Sequence, residues 1–471
     1  MRRAAGPRSV DVPAGSRRVG RSFFASVRDG PTRLTGSPAQ PAPGLVGMHN
    51  HLFYETGDAV YPAQAGFARL YLASGVTTIR TAGTIDLDAD LRLKAKIDAG
   101  RVPGPKIHVT GGYLNGGIGG PDPDGIARQV NEQADRGATS FKAYTSLRQS
   151  ELAAAIRAAH ARGFKVTGHL CAVGFRDAAA IGIDNLEHGL LIDTEFDPEK
   201  QADVCPDQGA FLSPLLQADM LTDGRIRGTI AALVQHGVAV TSPLAIFEAF
   251  TADESAFDSR LPDVLAPRLR KRYEVARRSW IDRDAPWPSA WRTLLTKEMQ
   301  FERAFVAAGG RLMAGVDPTG WGGVVAGFGD QRQLELLVKA GFTPEAAIRI
   351  ASSNGAAFLN EGDHIGTIAP GYQADLVLVR GNPSSNMSDV RNVEFVFKDG
   401  VAYDPAQLIA ATQGSIGRFD MAYVAYLFRW PYGAVLIGLS SMLGLRILDR
   451  RFGYWNKLNK RWRSRRYVSA R

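Results

Sequence analysis

The sequence predicts an α/β fold, a (β/α)8 TIM-type barrel carrying a small β-domain. Three observations predict it. Over residues 41–360, eight short apolar runs alternate with helix-like stretches, the order that lays a parallel sheet inside a ring of helices. Residue types that bind metals fall at the ends of those runs, where such barrels carry their chemistry. The first run ends in His49-Asn50-His51, where a doubly wound open sheet usually has a glycine-rich phosphate turn.

The elements follow in order. Leu45–Met48 is entered through Pro43-Gly44 and reads as a turn followed by a buried strand. Val76–Thr81, Lys106–Thr110, Ser140–Tyr144, Lys165–Gly168, Ile183–Glu187, Val238–Thr241 and Leu312–Val316 are the other seven strands. Glu151–His160 and Thr343–Phe358 are the clearest helices between and after them. Beyond the barrel, Asn392–Lys398 and Val401–Tyr403 flank Asp399-Gly400, a hairpin signal. Residues 1–42 are rich in Arg, Gly, Ser and Pro with little period-two patterning, so the N-terminal half of the small β-domain is poorly legible. The chain divides into a basic irregular segment (1–42), the barrel (43–360), the C-terminal part of the small β-domain (361–410) and an apolar, then basic tail (411–471).

The net charge of +9 belongs to the ends. Residues 446–471 hold ten Lys or Arg and one acid, and residues 1–40 hold eight Arg and two Asp. The body, 41–445, is therefore at −6, which excludes a basic nucleic-acid-binding domain. The first seven residues lack the apolar stretch of a signal peptide. Cys171 and Cys205 are the only cysteines. That count predicts no disulfide scaffold and a reducing, cytoplasmic compartment. In the tail, the 14 residues Tyr432–Leu445 are apolar. They would reach about 21 Å as a helix, short of the roughly 30 Å hydrocarbon core. Residues 421–471 read as a membrane-contacting helix with a basic flank, as an interface-packing helix or as a non-native tail.

The chemistry lies at one rim. Strand side chains alternate in direction, so His49 and His51 share a face. His169 and His188 end the fifth and sixth strands, Lys142 lies within the fourth, and Asp317 closes the eighth. Neutral imidazoles and carboxylates are natural ligands for Zn²⁺ and similar ions. Burial between Phe141 and Ala143 favours the neutral amine of Lys142. The competing readings are a strand-end lysine for Lys142 and a helix N-cap before Pro318 for Asp317. Tyr144 shares the face of Lys142 and is either a substrate-contacting phenol or a packed core residue. His108, His160, His236 and His364 read as non-ligands. Gly111–Gly120 lacks the Lys-Ser/Thr ending of a phosphate loop and reads as a rim loop. The stretch 244–300 carries Phe247, Phe250, Phe257, Tyr273, Trp280, Trp287 and Trp291, and reads as an aromatic lid or as helical packing.

This order of residues resembles the amidohydrolase superfamily, specifically its binuclear-metal branch, across roughly residues 41–410. Within it the chain is most similar to imidazolonepropionase-like and Xaa-Pro dipeptidase-like enzymes. Gly366–Val379 also resembles the family's return to its small β-domain, and Val12–Arg17 its approach to strand one. The resemblance implies two divalent metal ions, with zinc expected. It implies His49 and His51 on the more buried metal and Lys142 as a carboxylated bridge. It implies His169 and His188 on the second metal, and Asp317 as a ligand that shuttles the proton. Lys142, Tyr144 and Asp317 are the expected catalytic side chains. The implied activity is hydrolysis of a C–N amide bond in a small substrate, such as a dipeptide, an N-acyl amino acid or a cyclic amide. A lactonase or esterase on the same site, or a non-catalytic membrane-tethered barrel that binds small molecules, are the alternatives. Assembly into an oligomer is compatible with the sequence.

Overall fold

The computed structural model describes residues 16–17 and 39–418, apart from 56–59, 62–64, 118, 221, 252, 254–257, 281–285 and 320–322. At 16–17, 276–280 and 286–288 it gives backbone alone. The tail residues 421–471, with their expected membrane contact, lie outside the described residues. Among the described residues no helix is long and apolar enough to cross a membrane.

Among the described residues there are fifteen strands, in chain order: β1 (Ser16–Arg17), β2 (Ala39–Pro43), β3 (Leu45–Asn50), β4 (Tyr54–Glu55), β5 (Val60–Tyr61), β6 (Val76–Thr81), β7 (Lys106–His108), β8 (Ser140–Ala143), β9 (Lys165–Gly168), β10 (Asn185–Glu187), β11 (Ala239–Ser242), β12 (Leu312–Ala314), β13 (Leu376–Arg380), β14 (Val393–Lys398) and β15 (Val401–Tyr403). The eight expected runs correspond to β3 and β6–β12. They form two parallel sheets, β3-β6-β7 and β8-β9-β10-β11-β12. Between β7 and β8, parallel bridges join Thr110 to Ser140 and Leu114 to Ala143. Between β12 and β3, the amides of Val316 and Asp317 donate to the His49 carbonyl at 3.1 and 2.8 Å. Gly315 permits that approach, because a Cβ there would stand 2.3 Å from the Cβ of His49.

Helices pack outside these strands. Gln149–His160, which contains the expected 151–160 segment, buries Leu152, Ala155, Ile156 and Ala159 on one face. Fully burying a leucine or isoleucine is worth about 1.5–3 kcal/mol, so this stripe fixes the helix against the sheet. The expected single helix Thr343–Phe358 is instead two, Pro344–Ile350 and Ser353–Phe358. The carbonyl of Ala351 accepts from the amide of Val46 at 2.8 Å, so the chain gives up a helical hydrogen bond to tie down the start of β3.

A five-stranded sheet is antiparallel, in the order β1-β15-β14-β13-β2. The hairpin β14–β15 turns at Asp399 and Gly400, both at positive φ (51° and 74°), as a tight two-residue hairpin turn requires. Residues 1–42, in which no strand was legible, supply both edges of this sheet: β1 pairs with β15 and β2 with β13. Val377, Val379 and Val396 bury its inner face with Leu72, Ala73 and Leu408.

The cysteines also depart from expectation. Cys171 and Cys205 are joined in a disulfide, 34 residues apart in sequence. Their separation hides a spatial neighbourhood: Thr194 donates to the Cys171 carbonyl at 2.8 Å, and the Lys200 ammonium bridges the carbonyls of Ala172 and Val204. These contacts bring the segment before Cys205 back to Cys171. The pair withdraws the support that the cysteine count gave to a reducing compartment.

Candidate active site

The site forms where β3, β8, β9, β10 and β12 end. His49 and His51 sit on one face of β3, with ring centroids 5.4 Å apart. Asn50 between them points away and donates to Asp330 at 3.1 Å. Tyr71 holds the turn, its hydroxyl 3.2 Å from the amide and 3.0 Å from the carbonyl of His51. Both rings use Nδ1 for support: His49 meets Glu187 at 2.8 Å, and His51 lies 3.3 Å from the Gly83 carbonyl. Each therefore turns Nε2 toward Asp317, at 3.6 and 3.2 Å from Oδ1. Among the described residues, His49, His51 and Asp317 form a group whose ligand atoms all lie within 4.8 Å of one another.

The remaining expected residues come to the same place. His188 Nε2 is 3.7 Å from Oδ2 of Asp317. The His188 ring lies 4.6 Å from that of His49 and 4.4 Å from that of His169. Tyr144 borders His169 at 5.2 Å and Tyr113 at 4.8 Å. Lys142 is buried, its Nζ 3.7 Å from Glu187 and without a hydrogen-bond partner. His188 and Asp317 both adopt positive φ, 66° and 47°, an uncommon conformation for side-chain-bearing residues that concentrates at functional sites.

The electrostatics suit metal ligation. Burial, reinforced by Lys142, pushes the His169 imidazole down to about 3. Burial likewise holds His188 well below and His49 below the usual histidine range. These rings are neutral and can offer lone pairs. Burial would raise the Asp317 carboxyl, but His49, His51 and His188 around it hold it well below the usual range. Burial, helped by Arg80, draws Lys142 down to about 8. Burial raises the Tyr144 phenol to about 12, with Asp317 and Glu55 adding to it.

Two residues of this site were not singled out in the sequence. Arg80 on β6 and Glu187 on β10 are fully buried and paired at 2.6 Å. Their signal was a charged residue within an apolar strand, since unpaired burial of a charge is prohibitive. Of the aromatic stretch 244–300, Phe247 reaches the site, 6.0 Å from the His188 ring, and Trp291 stacks behind it. Tyr273 and Trp291 are buried packing residues. Phe257 and the side chains of Trp280 and Trp287 lie outside the described set. The non-ligand histidines stand apart from the cluster: His160 pairs with Asp184 at 2.9 Å, His108 lies 3.4 Å from Glu361, His364 is 3.6 Å from Asp363, and His236 caps the C-terminus of helix Gly224–Gln235.

A parallel-stranded α/β frame with imidazoles, a carboxylate and a lysine at its strand ends is the frame of a hydrolase. The family model described as the amidohydrolase family matches residues 42–403. The chain belongs to the amidohydrolase family, and it is a metal-dependent hydrolase acting on carbon–nitrogen bonds.

Solved structures share the fold. One is a Xaa-Pro dipeptidase with methionine bound in its active site, 21% identical, TM-score 0.55, covering 78% of this chain and 87% of that one. A second is the bottromycin amidohydrolase, 21% identical, TM-score 0.59, covering 81% and 83%. A third is the ochratoxinase of A. niger, 18% identical, TM-score 0.52, covering 76% and 82%. A sequence search of curated proteins gives no match.

Proposed function

We propose that this chain hydrolyses the amide bond of a small substrate, a dipeptide, an N-acyl amino acid or a cyclic amide, at a two-metal centre held by His49, His51, Lys142, His169, His188 and Asp317. The observation that carries the reading is that His49, His51 and Asp317 bring ligand atoms within 4.8 Å of one another at the strand ends, with His188 beside Asp317 and His169 beside His188. The parallel strands β3 and β6–β12, bridged at one seam and hydrogen-bonded at the other, support a closed (β/α)8 barrel with the antiparallel sheet as its small domain. Relatives of this fold include enzymes named for dipeptide and amide substrates, which favours this reading over a lactonase.

The residues fit the metals. Three ligand atoms already lie within 4.8 Å of one another, burial favours the neutral form of the His49, His169 and His188 imidazoles, and the buried Lys142 amine lacks a hydrogen-bond partner. Zinc suits this nitrogen and oxygen donor set. In its neutral form Lys142 could add CO₂ and release a proton, and the resulting carbamate would offer oxygen ligands to divalent ions held here. Divalent ions bound here would supply Lewis acidity and ease deprotonation of water. Asp317 then accepts a proton from water and returns it to the leaving amine. Tyr144 stands beside His169, where its phenol can donate to a substrate oxygen. Phe247 offers an apolar ring beside His188.

Metal analysis of the purified protein, with a screen of dipeptides, N-acyl amino acids, lactams and lactones, tests this. Two ions per chain and amide cleavage are expected. Metal-free protein inert toward all four classes would sink the reading. We further propose that residues 421–471 contact anionic membranes through the apolar run and its basic flank. Full-length protein found wholly in the soluble fraction at low salt would refute that contact.

A further inference from the structure

The hydrogen bonds beneath the site run in one direction. Thr241 on β11 donates to Oδ1 of Asn185 at 3.0 Å, and Asn185 donates to Oγ1 of Thr167 at 2.7 Å. Thr167 in turn donates its hydroxyl proton to Oε1 of Glu187. Arg80, anchored by its Nε on the Met48 carbonyl at 2.9 Å, donates to the same Oε1 at 2.6 Å. The remaining oxygen of Glu187, Oε2, stands 2.8 Å from Nδ1 of His49. All of these groups are buried.

We infer that Arg80 and Glu187 are positioning residues that fix which nitrogen of His49 faces the metal. The inference rests on the hydrolase reading above. Arginine can only donate, and the Thr167 proton is spent on Glu187 because its oxygen already accepts from Asn185. Glu187 is thereby left as an acceptor on both oxygens. His49 must then carry its proton on Nδ1, and Nε2, which faces Asp317, keeps its lone pair free. Supporting partners of this kind set tautomer and ring orientation at metal sites. Arg80 balances the carboxylate, so the device is a buried ion pair rather than a stranded charge.

The substitution Glu187→Gln keeps the shape and reverses one bond. The amide oxygen can still accept from Arg80 and Thr167, which turns the amide NH₂ toward His49. Nδ1 must then accept, and the proton moves to Nε2, against the metal. We expect Glu187→Gln to bind divalent metal about 10–100-fold more weakly. In ¹⁵N-histidine spectra of the metal-free protein, His49 should change from Nδ1–H to Nε2–H. Because Glu187→Gln leaves Arg80 without its counter-charge, the double variant Arg80→Met/Glu187→Gln is measured beside it. It strands no buried charge, and the same loss of affinity and the same tautomer change are expected. Wild-type affinity with His49 still protonated at Nδ1, in whichever variant keeps the wild-type circular dichroism spectrum, would overturn the assignment. Wild-type protein that takes up no metal would instead overturn the hydrolase reading itself.

Discussion

The parallel strands of this chain and its five-stranded antiparallel sheet obey opposite rules. In the parallel strands β3 and β6–β12 nearly every residue is buried, so a polar side chain there needs a partner or a purpose. His49, Arg80, Lys142 and Glu187 lie inside such strands, and all four meet at the site. In the antiparallel sheet, β13 alternates buried Val377 and Val379 with the less buried Leu376 and Leu378, and its one charged residue, Arg380, is exposed. A charge there, such as Arg380, carries no message. The difference teaches where to look: in a doubly covered parallel strand the charged residue is the signal, whereas in a half-solvated strand it is background.

That contrast is broken most directly at Lys142. Its amine is buried, without a hydrogen-bond partner and 3.7 Å from Glu187. We expect Lys142→Ala to abolish activity and release metal, with excess short carboxylic acid restoring part of both. Metal content and rate are measured together. Full activity in Lys142→Ala would reduce the lysine to packing.

Asp317→Asn is the next largest. It keeps the shape, and it keeps at least one metal bound through the histidines, but it removes the carboxylate that takes and returns the proton. A fall in kcat on the order of 10²–10⁴ is expected, the usual scale of general acid–base catalysis. An unchanged kcat would end the shuttle role.

These residues were legible because strand alternation and strand ends dictate where side chains go. The same logic gave the eight parallel strands within a few residues. It failed on β2, whose sequence Ala39-Gln-Pro-Ala-Pro43 holds two prolines. Proline cannot donate to a ladder and is tolerated at an edge, and β2 is an edge strand. Its partner on the opposite edge, β1, is two residues long, too short for any period. Arg80 and Glu187 were missed because each is decisive only as a pair 107 residues apart. The Cys171–Cys205 bond was missed because a count of cysteines says nothing of proximity.

Leu408 tests the other half of the comparison. It is 1% exposed and packs beneath the antiparallel sheet with Val377, Val379 and Val396. Leu408→Ala should cost about 2–5 kcal/mol of stability, the range for truncating a buried leucine. The kcat should stay unchanged, because none of His49, His51, Lys142, His169, His188 and Asp317 belongs to this cluster. Chemical unfolding and steady-state kinetics on one preparation decide it. A lost kcat with intact folding would show that the two regions are coupled.

The smallest effect concerns a buried charge pattern outside both the site and the small sheet. Glu298 and Glu302 lie one turn apart on helix Pro286–Ala307, both fully buried. Glu298 accepts the Leu191 amide at 3.1 Å, while both oxygens of Glu302 lack a hydrogen-bond partner. Burial raises the Glu302 carboxyl to about 8, and burial with the adjacent Glu302 raises Glu298 well above its usual range. A carboxyl whose folded pKa is raised holds its proton in the folded state after the unfolded chain has lost it. Its contribution is complete below the unfolded pKa, near the ordinary glutamate value, and is lost as pH climbs through about 8. The wild-type melting temperature should therefore fall between pH 5 and pH 9. Glu302→Gln removes that titration and should gain on the order of 1 kcal/mol over wild type at pH 9, with little difference at pH 5. Melting curves of both proteins across that window are the measurement. Parallel curves would mean that Glu302 is charged in the fold, and that even outside the site a buried acid here has found a partner.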